Sequence, residues 1–316
     1  MIGHAVSGHS HGGMTPPASR ALGLALSVTS ILMLIEAVGG WLTGSLALLA
    51  DAGHLLVDVG ALALGAAGSW VASRPATSQM SYGYRRAEIL AAVTNGAALW
   101  VIAGAIVYEA IGRLHTPHSV LAPGMLAVAV LGLAGNLVST ALLTPSGREN
   151  LNVRAALVHV LSDAAAAIVT IVASLVILAT RWTAADALAS CCIAALMLGS
   201  SWPLIREAVQ ILMEGTPRGI SMPAVESAMR GMPGVLDVHD LHIWSLTAGV
   251  PALSGHVRID EAADGQRILV DLCAMLHERF GLSHATLQLE TEAVDALWHT
   301  SCESHEHAHP AGGAAR

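Results

Sequence analysis

The sequence predicts a membrane protein in which a six-helix transmembrane bundle is followed by a small α+β domain. Hydrophobic residues make up 54% of the 316 residues and charged residues only 12%, about half the charged fraction of an average soluble protein. Six apolar stretches are each long enough to cross a hydrocarbon core, which takes about 20 helical residues. Beyond Thr216 these stretches stop, and polar and apolar residues alternate over lengths typical of a soluble domain.

The six predicted spans follow one another with short connections, at residues 21–42, 45–71, 88–111, 120–143, 155–179 and 184–213. Arginine is the only strongly basic residue in the chain, and it concentrates in alternate connections. Arg85 and Arg86 lie between the second and third spans, and Arg148 and Arg154 between the fourth and fifth. The positive-inside rule therefore places both termini in the cytoplasm of a multi-pass protein of the inner or plasma membrane.

The soluble part, residues 214–292, has an αββαβ pattern. Ser221 is expected to cap a helix through Arg230, and strands are predicted at residues 235–246 and 251–259 around a turn at Gly249. Apolar residues at helical spacing predict a second helix at residues 266–280, followed by a strand at residues 286–290. This order predicts a ferredoxin-like α+β domain with both helices on one face of a small sheet.

The second span contains the strongest chemical signal. In DAGHLLVD, Asp51, His54 and Asp58 fall within two helical turns, and His54 and Asp58 share one helix face at i and i+4. The same HxxxD spacing returns in the fifth span as His159 and Asp163. If the two faces meet, two nitrogens and two oxygens can surround one cation tetrahedrally, as Zn²⁺ prefers.

An alternative is that these residues are unrelated polar groups, hydrogen-bonded inside packed helices. A carboxylate at membrane depth costs at least ~2.5 kcal/mol on insertion scales, so two matched pairs indicate a compensating use. We therefore predict a metal site built by the two pairs, with Asp51 supporting it from the same helix. Because such ligands also bind protons, protons and metal are expected to compete for this site.

A second group of candidate ligands lies in the soluble domain. It comprises His239, His242, His256, His284 and Glu290. Strand alternation places His239 and His242 on opposite faces, so without a bulge only one of them joins a given site. The alternative is a set of surface histidines beside an acidic patch.

Three longer segments resemble the cation diffusion facilitator family of the zinc type. They are SLALLADAGHLLVD in the second span, YGYRRAEILAAVTNG at the start of the third, and GVLDVHDLHIWSLT in the soluble domain. The resemblance covers nearly the whole chain. It implies a homodimer that exchanges cytoplasmic zinc for protons by alternating access at the His/Asp site.

The resemblance also bears on individual residues. A histidine at position 54, where manganese members typically carry aspartate, implies a preference for zinc. His239, His256 and Glu290 match cytoplasmic zinc-ligand positions, which implies regulation by cytoplasmic zinc, and His242 matches a position that is frequently histidine. The connection at residues 73–81 lacks His and Asp, so the second zinc site that some relatives carry there is expected to be absent. The connection between the fourth and fifth spans is short and not His-rich, which resembles bacterial members of the family.

The tails and four further polar residues are secondary candidates. Residues 1–20 and 293–316 are expected to be disordered, and their loose histidine clusters suit weak metal capture; these clusters contain His4, His9, His11, His299, His305, His307 and His309, with Cys302. In the spans, Asn95 and Asn136 are candidates for hydrogen bonds between helices, and Glu36 and Asp186 for gating or structural roles.

Three alternatives to a zinc transporter remain open. A metalloenzyme fits poorly because the sequence has no HExxH motif. A membrane-anchored metal sensor leaves the intramembrane pairs unexplained, and Cd²⁺, Co²⁺, Ni²⁺ or Fe²⁺ can replace zinc as the main substrate because affinity trends alone do not select zinc. The formal charge of −8 argues against a nucleic-acid partner.

Overall fold

The computed structural model describes residues 16–147 and 151–291, with side chains for residues 23–144 and 157–291. Both tail histidine clusters, together with Arg148 and the side chain of Arg154, lie outside these described parts. In the described chain, six long helices come first: α1 (Pro16–Thr43), α2 (Leu46–Ala72), α3 (Ala87–His115), α4 (Ala122–Gly147), α5 (Leu151–Thr180) and α6 (Ala184–Leu212).

All six helices are long and apolar enough to cross a membrane, which confirms the six predicted spans. The largest difference is at the start of α1, at Pro16 instead of residue 21. The ends of α3 and α4 and the start of α5 each extend four residues beyond the predicted bounds. The earlier start of α1 has a simple reason, since proline is tolerated in the first helical turn, where its missing N–H is not needed. Large apolar side chains such as Trp41, Val101 and Tyr108 are mostly exposed on these helices, as a lipid-facing surface requires.

The chain divides into two compact units, one formed by residues 1–68 and 90–206 and the other by residues 69–89 and 207–316. The division therefore falls at residues 206/207, somewhat before the expected domain boundary at 213/214. In the second unit, Arg86 donates to Glu214 over 3.0 Å, an ion pair that joins the α2–α3 connection to the segment after α6.

Within the first unit, α1 and α4 pack closely through small residues. A Cβ atom added at Gly39 would lie 2.7 Å from Val128 of α4, and one added at Gly135 would lie 2.6 Å from Leu32 of α1. Small residues that let helix backbones approach closely are typical of helix packing in membranes. Lipid is as apolar as the helix surfaces, so close van der Waals packing, and not the hydrophobic effect, holds the helices together.

The first turn of α2 is capped by a residue from another helix. The buried carboxylate of Asp186, in the first turn of α6, accepts hydrogen bonds from the Ser45 hydroxyl at 2.6 Å, the Leu46 N–H at 2.7 Å and the Ala47 N–H at 3.2 Å. Arg113 of α3 lies 3.7 Å from this carboxylate and donates to the Gly44 carbonyl. This network ties the end of α3 to the starts of α2 and α6, so Asp186 has a structural role.

The second unit contains the predicted α+β domain. Its elements are α7 (Met222–Arg230), β1 (Val235–Thr247), β2 (Val250–Ile259), α8 (Gly265–Phe280) and β3 (His284–Glu290). The sheet has the order β1-β2-β3, with β1 antiparallel and β3 parallel to β2. Residues of both helices and the strands form one apolar core around Leu253, Leu272 and Leu276.

Of two local predictions in this domain, the turn at Gly249 is confirmed and the side-chain cap at Ser221 is not. Gly249 turns between β1 and β2 with φ +74°, as its position between the strands predicts. Ser221 does occupy the N-cap position of α7, but its side chain makes no capping hydrogen bond, so that prediction is wrong in its mechanism. Proline in the first turn of α7 already removes one N–H that a cap would satisfy.

The capping network makes a prediction about stability. Asp186→Ala leaves the Ser45 hydroxyl and two buried N–H groups without their acceptor, and we expect a loss of about 1.5–3 kcal/mol because hydrogen bonds to charged groups contribute this much. Thermal unfolding of the purified protein in detergent measures it. Glu109→Gln, which removes the half-exposed partner of Arg113, is the matched control and should cost less than ~1 kcal/mol. Equal stability of the two variants would contradict the capping role.

Candidate metal centres

The two HxxxD pairs meet in the structure. The Nε2 atoms of His54 and His159 each lie 3.4 Å from Asp58 Oδ2. Each also lies 3.7 Å from an oxygen of Asp163, Oδ1 for His54 and Oδ2 for His159. The two imidazole ring centroids are 5.8 Å apart. One face of α2 and one face of α5 therefore bring two nitrogens and two carboxylates to a single point.

These separations match a tetrahedral metal site. Zinc bonds of 2.0–2.1 Å at tetrahedral angles put neighbouring ligand atoms about 3.3 Å apart. Ligand atoms of His54, His159 and Asp163 lie within 4.8 Å of one another, and Asp58 Oδ2 stands at 3.4 Å from both imidazoles. The arrangement needs only small side-chain adjustments to hold one divalent cation.

Burial and unsatisfied atoms agree with this interpretation. Asp163 is 2% exposed, and neither of its carboxylate oxygens has a hydrogen-bond partner among the described residues. Asp58 Oδ2 is likewise buried without a hydrogen bond. Buried polar groups normally have partners, and these carboxylate oxygens are free to coordinate a cation.

The site opens into a cavity of about 260 Å³. His54 and Asp163 line it, together with the small or polar Ser162, Gly199 and Ser200. The last two belong to α6, a helix that carries no motif signal near these positions, so sequence reasoning did not single them out. Hydroxyl groups along the cavity suit a hydrated cation.

A second cluster lies on the sheet of the soluble domain. His239 of β1 stands directly opposite His256 of β2 in the antiparallel register, and β3 brings Glu290 beside them. Glu290 Oε1 lies 2.8 Å from His256 Nδ1, and its Oε2 lies 3.2 Å from His239 Nε2. Gln288, two residues earlier on β3, donates to Glu290 Oε1 at 2.7 Å and orients that carboxylate.

The donor set of this second cluster fits a zinc ion. Ligand atoms of His239, His256 and Glu290 lie within 4.8 Å of one another. Glu290 is 1% exposed, and its Oε2 has no hydrogen-bond partner among the described residues. Two imidazoles and one carboxylate are ordinary zinc ligands, and three of them leave a fourth position for water or another donor.

The structure does not bring His242 or His284 into this cluster. The pairing of β1 with β2 shifts between His239 and His242, with Asp240 in the left-handed region at φ +49°. His242 pairs with Ser254, and its Nε2–H donates to Asp240 Oδ1 at 2.9 Å. This hydrogen bond lowers the pKa of Asp240 below its ordinary value. Burial raises the same pKa, but by less.

Among the residues that the structure describes, His284 lies outside the cluster, and Asp51 makes no hydrogen bond through its Oδ1 atom. His284 begins β3, with its ring 5.8 Å from that of Tyr82, and it is not part of either three-residue metal group among the described residues. Asp51 is 3% exposed, but its Oδ1 has no hydrogen-bond partner in the described chain. It therefore does not orient His54 through a hydrogen bond from that oxygen.

Comparison with known proteins agrees with both parts of the fold. The cation efflux transmembrane domain matches residues 22–213, and the cytoplasmic domain of cation efflux proteins matches residues 217–292. The chain belongs to the cation efflux family. This confirms the resemblance to the cation diffusion facilitators. The matched segments of this cation efflux protein meet between residues 213 and 217, close to the domain boundary expected from the sequence.

Several curated proteins are similar over most of their length. The "Cadmium, cobalt and zinc/H(+)-K(+) antiporter" of Bacillus subtilis is 41% identical, covering 83% of this chain and 85% of the relative. The "Zinc transporter ZitB" of Escherichia coli is 38% identical, covering 92% and 94%. A solved structure, the metal-bound C-terminal domain of the CzcD transporter from Cupriavidus metallidurans, is 39% identical over 22% of this chain and 99% of that one, with a TM-score of 0.22.

The cytoplasmic-domain cluster makes a prediction that separates its histidines. His239→Ala removes a candidate ligand of the cluster and should weaken zinc binding about 10-fold or more, whereas His242→Ala removes only the partner of Asp240 and should change zinc binding less than about 3-fold. Zinc titration of the full chain carrying His54→Ala, which disables the intramembrane site, measures this binding. A larger loss with His242→Ala than with His239→Ala would contradict the assignment.

Proposed function

We propose that this cation efflux protein exports Zn²⁺ in exchange for protons, with His54, Asp58, His159 and Asp163 as the transport site. The observation that carries the proposal is the convergence of these two pairs, at 3.4–3.7 Å, between α2 and α5. The names of the relatives in Bacillus subtilis and Escherichia coli, a cadmium, cobalt and zinc/H(+)-K(+) antiporter and a zinc transporter, support zinc and protons as the exchanged ions.

The ligand set favours zinc among divalent cations. Two imidazoles and two carboxylates at tetrahedral separations suit Zn²⁺ better than Mn²⁺, which prefers six oxygen ligands. The site has no thiolate, so metal leaves it more readily than it leaves a cysteine site. Co²⁺ and Cd²⁺, which the name of the Bacillus subtilis relative includes, are further candidate substrates.

The exposure of the four ligands supports a site that is open on one side. His159 and Asp58 have side chains 41% and 21% exposed, whereas those of His54 and Asp163 are 11% and 2% exposed. The two exposed ligands lie nearer the α2 C-terminus and the α5 N-terminus than their partners do. If both chain termini are cytoplasmic, these helix ends are cytoplasmic too, and the structure is the inward-open state.

Protons take the place of metal when the site turns outward. Each ligand that binds Zn²⁺ must first lose its proton, so metal binding releases protons and protonation releases metal. Metal enters from the cytoplasm through the exposed side at His159 and Asp58. Once the site is closed to the cytoplasm and open outward, protons bind the ligands and the metal leaves. An inward proton gradient therefore drives export.

The soluble domain supplies a separate, resident metal site. His239, His256 and Glu290 would hold zinc there, and the ion would neutralise the buried Glu290 carboxylate and cross-link three strands. We infer that the protein acts as a homodimer, as the family resemblance implies, with cytoplasmic zinc favouring the association of the two soluble domains.

Two rival functions are less well supported. A metalloenzyme needs an open metal position for water and a nearby general base, but the described transport site already offers four ligands to one cation. A membrane-anchored sensor would not need ionisable pairs at membrane depth, where they are costly. It also predicts no metal flux in reconstituted vesicles.

Mutation of the transport site tests the proposal. His54→Ala or Asp163→Ala should reduce zinc flux into proteoliposomes at least about 100-fold, because three ligands no longer close the tetrahedron around the ion. His118→Ala, which removes an exposed imidazole outside the spans, is the matched control and should retain flux. Unfolding temperature shows whether each variant is folded, and wild-type flux from a folded His54→Ala protein would contradict the assignment.

The coupling to protons is tested separately. The vesicles are acidic inside and neutral outside, and the molecules that count are those whose cytoplasmic side faces the external solution. Their zinc uptake should exceed uptake without a pH gradient, because protons in the lumen displace bound metal into it. Collapsing the gradient with a protonophore should remove the difference. Uptake that is indifferent to the gradient would reject exchange while leaving metal transport itself intact.

A further inference from the structure

One buried acid in the membrane unit has no role in the proposed metal site. Glu36 lies on α1, a helix that supplies no ligand, and is 2% exposed. Its Oε2 has no hydrogen-bond partner among the described residues. Its Oε1 packs against the backbone of α4, where a Cβ atom added at Gly132 would lie 2.5 Å from it. The side chain is thus held in place with one oxygen unsatisfied.

The charged groups facing Glu36 have the same sign as its own carboxylate. Asp163 of α5 and Asp51 of α2 interact with it electrostatically, and α4 presents the uncharged Gly132. No described ion pair includes Glu36. An ionised carboxylate is costly in such surroundings, unless a metal ion or a proton neutralises it.

A proton fits this position better than a metal ion. A metal ion needs several ligand atoms around it, and neither three-residue metal group of the described chain includes Glu36 or Asp51. A proton needs only one carboxylate oxygen. By contrast, Asp186 is equally buried but accepts three hydrogen bonds at 2.6–3.2 Å, as expected of a carboxylate that is stable in its ionised form.

We propose that Glu36 is a proton-binding site of the exchange cycle, protonated while the transport site is empty and ionised while a divalent cation is bound. This inference rests on the proposed function. The cation neutralises Asp163, and this removes a like charge that faces Glu36. The O–H bond of the Glu36 carboxylic acid then breaks, and the proton is released to water. When the cation leaves, a proton returns to the carboxylate.

Proton counting tests this role. The full chain carrying Glu290→Ala, which disables the soluble-domain cluster, is titrated with Zn²⁺ in weakly buffered detergent solution, and protons released per bound ion are measured. With Glu36→Gln we expect zinc affinity within about 5-fold of that background and a release lower by about one proton per ion. Glu109→Gln, an exposed acid paired with Arg113, should leave the count unchanged. An unchanged count with Glu36→Gln would overturn the inference.

A second measurement applies even if Glu36→Gln does not fold. Infrared difference spectra of the wild type should show a protonated carboxylic acid band that is lost when Zn²⁺ binds. In Glu36→Asp, which keeps the carboxyl group, this band should shift in frequency and still disappear with zinc. A band that is absent, or that does not change in Glu36→Asp, would contradict the assignment to Glu36.

Comparing His54→Ala with Glu36→Gln in the same zinc titration distinguishes failure of this inference from failure of the proposed function. If His54→Ala binds zinc as tightly as the background protein, the transport site itself is wrong. If His54→Ala loses binding but Glu36→Gln releases the full number of protons, the transport site stands and only the role of Glu36 fails.

Discussion

The cost of an uncompensated charge inside a membrane is the constraint on which this structure depends. Asp58 and Asp163 are carboxylates held between α2 and α5, and their buried oxygens lack hydrogen bonds among the described residues. Two imidazoles at 3.4–3.7 Å complete a tetrahedral set of donors. Such a site is unfavourable when it is ionised and empty, and favourable when it holds either a divalent cation or protons. In the proposed transport cycle, this alternation between two kinds of cation is the basis of exchange.

The same physical rule separates structural from functional acids in the membrane unit. Asp186 is fully hydrogen-bonded by the first turn of α2 and lies near Arg113, so it stabilises the helix that carries His54 and Asp58. Glu36 has an unsatisfied oxygen and faces other acids. The sequence shows both residues as lone acids in apolar helices, and only their contacts distinguish them. Both acids are buried, so burial does not tell them apart. What distinguishes them is whether the carboxylate has hydrogen-bond and ion-pair partners.

The sequence predicted the elements of the fold well because its signals are local. Span length identified six helices, and alternation with turn residues identified the strands to within a few residues. The two members of each HxxxD pair could be expected to lie together because i, i+4 spacing puts them on one helix face. That the two faces meet depends on packing between helices distant in sequence, and no local pattern contains this information.

The soluble domain shows where strand patterns are insufficient. Simple alternation places His239 and His242 on opposite faces, but the register shift at Asp240 changes the pairing, and His242 then bonds Asp240. The position of this shift depends on long-range strand pairing, which the sequence pattern does not reveal. The cavity residues Gly199 and Ser200 were missed for a similar reason, since small residues on an apolar helix are common.

The most direct test is the position of the ion itself. Anomalous diffraction at the zinc absorption edge, from crystals of the full chain soaked with Zn²⁺, locates the metal independently of any assumption about its ligands. The account predicts a peak between α2 and α5, about 2.0–2.2 Å from a donor atom of each of His54, Asp58, His159 and Asp163. A membrane-unit zinc peak that contacts only one of the two HxxxD pairs, or neither, would contradict it.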